Sequence, residues 1–328
     1  MASQGFKKIP IFLILSCLCI AKCATSFGQG SEIRVEIEAD QATELAPHRK
    51  GNVYAPTLWN EGGLRRIWYG GQGRDGHDRI HYTESQNGGP WLKKGVVIDN
   101  GRANHVNDPS VVKIGETFFL YYTIADKDVV DAIALATSTD GIHWQLKGKV
   151  LEPGHPGAWD SLLVGRPSVI HHNGTFHLYY DGRKDLNLGS PAQGVPKSAN
   201  SRRFVGLATS MDGLHWRRSA RNPVFDHDAG GVDVKITPNG YIMLYESGAG
   251  TMAAVSSDGT NWRDRGILIP KTHQSIDRFG HVTPTYDLAS GRIYFGAARA
   301  STWDQNTIAS LTVASTLIDR LFKNPGNR

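Results

Sequence analysis

The sequence predicts an all-β chain folded as a five-bladed β-propeller, and three observations carry that prediction. The phrase Ser-x-Asp-Gly-x-x-Trp occurs at residues 138–144, 210–216 and 256–262, with a looser copy, Ser85-Gln86-Asn87-Gly88-Gly89-Pro90-Trp91. The four tryptophans are 53, 72 and 46 residues apart, the period of propeller blades rather than of helical solenoids. Short apolar runs bounded by turn residues recur throughout, and no long stretch carries a helical hydrophobic period.

Each full copy of the phrase follows a short apolar strand, at 132–137, 205–209 and 252–255. Asp-Gly between two such strands is a tight hairpin signal, because glycine accepts positive φ and aspartate tolerates it. A turn repeated in blade after blade serves the scaffold, so its aspartates are read as turn formers rather than acids. Two further strands precede each hairpin. In the second blade Asp108-Pro109-Ser110-Val111-Val112 leads to a strand at 118–122, and in the third Arg166-Pro167-Ser168-Val169-Ile170 leads to 176–180. The first blade offers Ala55-Pro56-Thr57-Leu58-Trp59 and Arg66-Ile67-Trp68-Tyr69; the fourth offers 232–236 and 241–245. The fifth offers 281–286, 292–295 and 307–313 but lacks the Asp-Gly-Trp turn. Ile33-Arg34-Val35-Glu36-Ile37 alternates with period two and is a candidate outer strand for that blade, joining the two ends of the domain.

Composition and the first residues bound the rest. With 40% hydrophobic and 20% charged residues the chain should bury a core. Lys7 and Lys8 precede an apolar run over 9–20, with small residues around Ala24, Ser26 and Gly28. That is the layout of a secretory signal peptide over 1–28, and the run is too short to span a bilayer. All three cysteines, Cys17, Cys19 and Cys23, lie inside it, so the mature domain has no disulfide framework. Cys17 after Leu15-Ser16 weakly resembles a bacterial lipoprotein acceptor site. Removing the leader's three lysines takes the net charge from +5 to +2, too low and too dispersed for a dedicated nucleic-acid binder. The expected organisation is a leader, an N-terminal segment at 29–46, a propeller over 47–315 and a tail at 316–328, in an exported protein.

Asn107-Asp108-Pro109-Ser110, Gly165-Arg166-Pro167-Ser168-Val169-Ile170 and the Asp-Gly-x-x-Trp turns resemble the five-bladed glycoside hydrolases, among them families 32, 43, 62 and 117. The resemblance covers roughly residues 47–315 and is specific for architecture rather than for one family. It implies an Asp opening the first blade, an Asp in the second and a Glu in the third. Asp108 matches the second-blade Asp, which in that superfamily holds substrate and tunes the acid. The first-blade position reads Tyr54-Ala55-Pro56 and the third reads Gly165-Arg166-Pro167, so two of the three carboxylates are replaced.

Strand direction sorts the candidates onto one face. In an antiparallel blade the inner strand starts, and the second strand ends, on the face opposite the Asp-Gly hairpins. The openers are Tyr54, Asp108, Arg166, Asp233 and His281; the closers are Asp181, Arg183, Glu246 and Arg299. Trp159-Asp160 precedes an inner strand, and the long loop over 184–202 projects on the same side, as functional loops of that length do. Such a mouth suits glycosidic cleavage, in which one carboxylic acid protonates the leaving oxygen and a second carboxylate supplies a base or nucleophile. Arginines fork onto hydroxyls or onto acidic-sugar carboxylates. The expected catalytic set is Asp108 as base or nucleophile with Asp233 or Glu246 as acid. The expected substrate contacts are Tyr54, Asp160, Arg166, Asp181, Arg183, His281 and Arg299. Each of these acids also has a scaffold reading, and a catalytically silent sugar-binding propeller or a protein-interaction propeller fits the same architecture. The expected partner is a carbohydrate, with no nucleic acid and no membrane span. No His/Cys cluster with metal-ligand spacing, nucleophile elbow or phosphate-binding loop is present in the sequence, so no metal or cofactor is expected.

Overall fold

Five sheets of four antiparallel strands make up a β-propeller in the computed structural model of the chain. The described residues are 33–40, 43–126, 130–270, 281–298 and 304–323; of His281 only the backbone is described. The expected leader at 1–28, with its three cysteines, and Arg299 lie outside them.

The first blade comprises β2 (Val53–Glu61), β3 (Leu64–Gln72), β4 (Asp78–Gln86) and β5 (Leu92–Ile98). The second comprises β6 (His105–Ile114), β7 (Thr117–Ala125), β8 (Asp131–Ser138) and β9 (Gln145–Leu151). In the third, β10 (Leu163–His172), β11 (Thr175–Arg183), β14 (Phe204–Ser210) and β15 (Arg217–Arg218) form the sheet. Its long loop carries a two-stranded parallel pair, β12 (Leu186–Asn187) and β13 (Lys197–Ser198). The fourth runs from β16 (Gly230–Thr237) through β17 (Gly240–Ser247) and β18 (Gly250–Ser256) to β19 (Arg263–Pro270). In the fifth, β20 (His281–Asp287), β21 (Arg292–Ala298) and β22 (Asn306–Thr312) receive their outer strand from β1 (Arg34–Ile37), with Arg34 opposite Ser310. A short helix, α1 (Ser315–Phe322), follows and is tied to the fourth blade where Asn239 donates to Asp319 at 2.9 Å.

The hairpins dock each blade onto the one before. Gly141 accepts a hydrogen bond from Trp68 Nε1 at 2.8 Å, Gly213 from the Tyr121 hydroxyl at 2.8 Å, and Gly259 from the Tyr179 hydroxyl at 2.9 Å. The motif tryptophan then packs edge-on against the same aromatic: Trp144 on Trp68, Trp216 on Tyr121 and Trp262 on Tyr179. Inside each turn the aspartate accepts two backbone N–H groups; Asp140 Oδ1 takes those of Ile142 and His143, both at 2.8 Å. These carboxylates are turn caps, as their repetition implies.

The inner strands share a second device nearer the axis. Each ladder slips after its first, second or third residue, and the slipped residue sits at positive φ: Ala55 (49°), Asp108 (49°), Arg166 (47°), Gly231 (55°) and Thr283 (42°). Two residues on stand Thr57, Ser110, Ser168, Asp233 and Thr285. At four successive junctions this side chain accepts a backbone N–H of another inner strand. Thr57 takes Val111 at 3.3 Å, Ser110 takes Val169 at 2.9 Å, Ser168 takes Val234 at 2.8 Å, and Asp233 takes Tyr286 at 2.8 Å. The other Asp233 oxygen accepts Lys235 Nζ at 2.8 Å.

Asp233 therefore occupies a position that serine or threonine fills elsewhere in the ring. Asp233→Ala should cost about 1–3 kcal/mol, because it leaves the Tyr286 amide buried without an acceptor. Asp233→Ser should recover most of that loss. Chemical denaturation of the two variants checks the expectation; equal destabilisation by Ala and Ser would contradict the latch.

Candidate active site

The registers place the mouth. His105 lies opposite Ala125 and Ala125 opposite Asp131, whereas Ser138, which starts the hairpin, lies opposite Phe118 at the other end of the blade. A cavity of about 550 Å³ opens at the first of these ends, lined by Tyr54, Asp108, Arg166, Arg183 and Glu246 among the expected residues. His105, Asn107, Asp131, Arg203 and Asp228 join them. The slipped inner-strand residues Asp108 and Arg166 both line it.

Asp108 sits at the slip of β6 with 5% of its surface exposed. Burial drives its carboxyl up to about 7; Arg166 opposes the rise, and Glu246, Asp181 and Asp131 add to it. Arg166, the equivalent residue of the next blade, donates through Nη1 to Asp181 at 2.7 Å, and its backbone N–H is held by Thr123 Oγ1 at 2.8 Å. Asp181 is fully buried beneath it and keeps Oδ1 without a hydrogen bond. Glu246 stands in the fourth blade where Asp181 stands in the third, each opposite a glycine, Gly230 and Gly165. Its Oε1 is bonded by Arg203 Nη1 and its Oε2 by the Thr283 N–H at 2.9 Å. Burial pushes the Glu246 carboxyl upward, but Arg203, Arg166 and the Thr283 amide outweigh burial and hold it below the usual carboxylate range.

Glycine at the fourth-blade slip has a steric reason. A Cβ on Gly231 would lie 2.8 Å from Glu246 Oε2 and 3.0 Å from Thr283 Oγ1, at a φ that already disfavours side chains. Gly230 leaves room in the same way for Arg203 and Asp181.

On the first-blade side Asn107 Nδ2 donates to the Tyr54 hydroxyl at 3.0 Å, fixing the ring against the wall. His105 Nε2 lies 3.4 Å from Asp131 Oδ1. Burial lowers the tendency of His105 to hold a proton, but Asp131 more than compensates, so its affinity rises.

The structure thus brings together Tyr54, Asp108, Arg166, Arg183 and Glu246, with Asp181 directly beneath Arg166. It does not bring Asp233, which faces the next blade as a latch. It does not bring Asp160, whose Oδ2 accepts the Tyr180 hydroxyl and Arg218 Nε, both at 3.1 Å, within the third blade. Sequence reasoning misses His105, Asn107, Asp131, Arg203 and Asp228. The long loop gives a partial signal for Arg203, which lies one residue beyond it. Among the described residues no group of three or more His, Cys, Asp or Glu side chains is placed to hold a metal.

No protein-family model matches the sequence, and no curated protein matches it as a relative. Solved structures match the fold. One described as a glycoside hydrolase aligns with a TM-score of 0.68 at 18% identity, over 86% of this chain and 91% of its own. A structure described as a complex of BT0996 and RGII gives 0.65 at 20% identity, over 84% and 89%. A family 117 glycoside hydrolase, Zg3597 from the marine bacterium Zobellia galactanivorans, gives 0.62 at 17% identity, over 86% and 90%. The five-bladed architecture is common to all of them.

The buried Asp108 carboxyl gives this site a pH signature. Its folded-state value of about 7 stands above its ordinary 3.8, so between those pH values the folded chain holds a proton that the unfolded chain has released. Stability contributed this way falls as pH rises through that window and is gone above it. Asp108→Asn, which cannot ionise, should match the parent near pH 4 and exceed its melting temperature at pH 8. Parallel melting curves across pH check this, and identical pH profiles for the two proteins would contradict it.

Proposed function

We propose that this chain is an exported glycoside hydrolase whose active site is the cavity at the propeller mouth. One observation carries the reading: two buried carboxyls on one cavity have environments that push their proton affinities apart. Such a pair suits acid and base roles in a single site. Asp108, held up near neutral pH by burial, is the proton donor to the glycosidic oxygen. Glu246, held ionised by Arg203 and the Thr283 amide, faces the positive charge that develops at the anomeric carbon. The sequence alone suggests these roles the other way round, and the electrostatics favour the exchange. Tyr54 and Arg166 are the substrate-positioning groups. Architecture shared with glycoside hydrolases supports the reading, and the leader-like first 28 residues support export. Among the described residues no helix is long and apolar enough to cross a membrane.

A second reading rests on a specific observation. The first-blade slip residue is Ala55 and the third-blade one is Arg166, where the resembling enzymes carry acids. A sugar-binding propeller without turnover needs no pair of catalytic carboxylates.

Screening the purified chain against aryl glycosides and plant or algal oligosaccharides separates the two. The expected result is hydrolysis by the parent and a loss of at least about 100-fold in rate for Asp108→Asn, with sugar affinity largely kept. Asp258→Asn, in a far-face hairpin, should retain the parental rate. Undiminished hydrolysis by Asp108→Asn would remove Asp108 from the mechanism. Binding of oligosaccharides by a parent that cleaves none would favour the second reading.

A further inference from the structure

Four arginines of the third blade illustrate how this molecule treats a partly buried guanidinium. Arg166 is paired with Asp181, Arg203 with Glu246 and Arg218 with Asp160. Arg183 is the exception. It closes β11 opposite Leu163 at the mouth end of the blade, and it lines the cavity. Among the described residues its guanidinium has no hydrogen-bond or ion-pair partner, and its Nε is buried without an acceptor. Burial and the neighbouring Arg203 and Arg166 all disfavour its charge, with only partial relief from Asp181 and Asp228. Asp228, on the same cavity, accepts the Arg203 backbone N–H through Oδ1 at 3.0 Å and forms no ion pair with Arg183.

A guanidinium kept charged, half desolvated and unpaired is costly unless something completes it. Neutral hydroxyls would solvate its donors but leave its charge uncompensated as substrate displaces water. An oxyanion presenting two oxygens would satisfy the fork and the charge together. The two ends of the long third-blade loop are suited to this. Arg183 stands at its start and Arg203 at its end, with Asn187 and Ser201 lining the same cavity. The loop is internally braced, by the β12–β13 pair and by Ser201 Oγ donating to the Asp185 carbonyl at 2.8 Å. The ladder and the loop therefore hold the Arg183 backbone at the cavity before any ligand arrives.

We infer that the cavity takes an acidic sugar, and that Arg183 is the specificity-determining residue that binds its anionic group, a carboxylate or a sulfate ester. This rests on the proposed sugar-binding role of the mouth but not on turnover. The test is ligand-observed NMR titration of the full chain with D-galacturonate and D-glucuronate. Galactose and glucose serve as the neutral parents, and galactose 6-sulfate and glucose 6-sulfate separate carboxylate from sulfate. At least one acidic sugar should bind about 10-fold or more tightly than its neutral parent, a preference worth about 1.4 kcal/mol. Arg183→Gln should abolish the preference while leaving the weak binding of the neutral sugar in place. Arg183→Lys should restore part of it, because the charge returns without the fork. Melting temperatures near the parent's are expected for both variants, since Arg183 has no partner to lose. Equal affinity for acidic and neutral sugars, an equal fall for both in Arg183→Gln, or no acidic sugar bound at all would overturn the inference. Acid-sugar binding through Arg183 in a chain that cleaves nothing would instead sink only the hydrolase reading. Cleavage of neutral glycosides with no acidic preference would sink only this one.

Discussion

A residue at positive φ cannot keep a β-ladder in register, and this ring sets one at the mouth end of all five inner strands. The slip lets each strand bend toward the axis and aims the next side chains sideways, into the neighbouring blade. Thr57, Ser110, Ser168 and Asp233 then reach an amide one blade on. Blade position and mouth geometry are set by the same two or three residues. In the second and third blades the strained residue, Asp108 or Arg166, also lines the cavity. Strain of this kind persists only where the surroundings over-determine it, and here the latches supply that determination.

The two ends of the ring treat their carboxylates in opposite ways. At the hairpins both oxygens of Asp140 are bonded within the turn, to Ser138, Ile142 and His143. Asp212 and Asp258 repeat the arrangement. At the mouth the buried Asp181 keeps Oδ1 without a hydrogen bond. Acids at the hairpins hold the scaffold, whereas at the mouth Glu246 has both oxygens bonded and Asp181 retains unused capacity. An incomplete network in a low-dielectric pocket is unfavourable for stability and useful for recognition.

Local chemistry decides what can be read from the sequence. The Asp-Gly-x-x-Trp turns are legible because their bonds lie within a few residues, and they locate three blades directly. Proline marks the slip in four inner strands, after Ala55, Asp108, Arg166 and Thr283. In the fourth blade Val232 stands where the others have proline. There the expected opener falls two residues late, and the latch Asp233 takes the place that belongs to Gly231; even with proline present, Tyr54 and His281 fall one and two residues before Ala55 and Thr283. Asp131 and Arg203 carry no local mark: Asp131 faces Asp108 from another strand of the second blade, and Arg203 meets Glu246 only because the ring brings the third and fourth blades to one axis. The displaced proton affinity of Asp108 is equally invisible, since burial is a property of the assembled mouth and not of the Asp-Pro phrase.

The fifth blade has a bearing on how the molecule is made. Its outer strand, Arg34–Ile37, lies against β22, so Val35 finds its partner at Ala309. The Thr307 hydroxyl donates to the Ile37 carbonyl at 2.7 Å, and Glu36 bonds Trp91 of the first blade at 2.8 Å. A contact spanning some 270 residues of sequence is among the slowest to form. The first of these strands is separated in sequence from its β22 partner by four whole blades and finds it only when the fifth assembles. The ring is therefore an open arc until β1 and β22 pair, and it becomes a closed body only with that step.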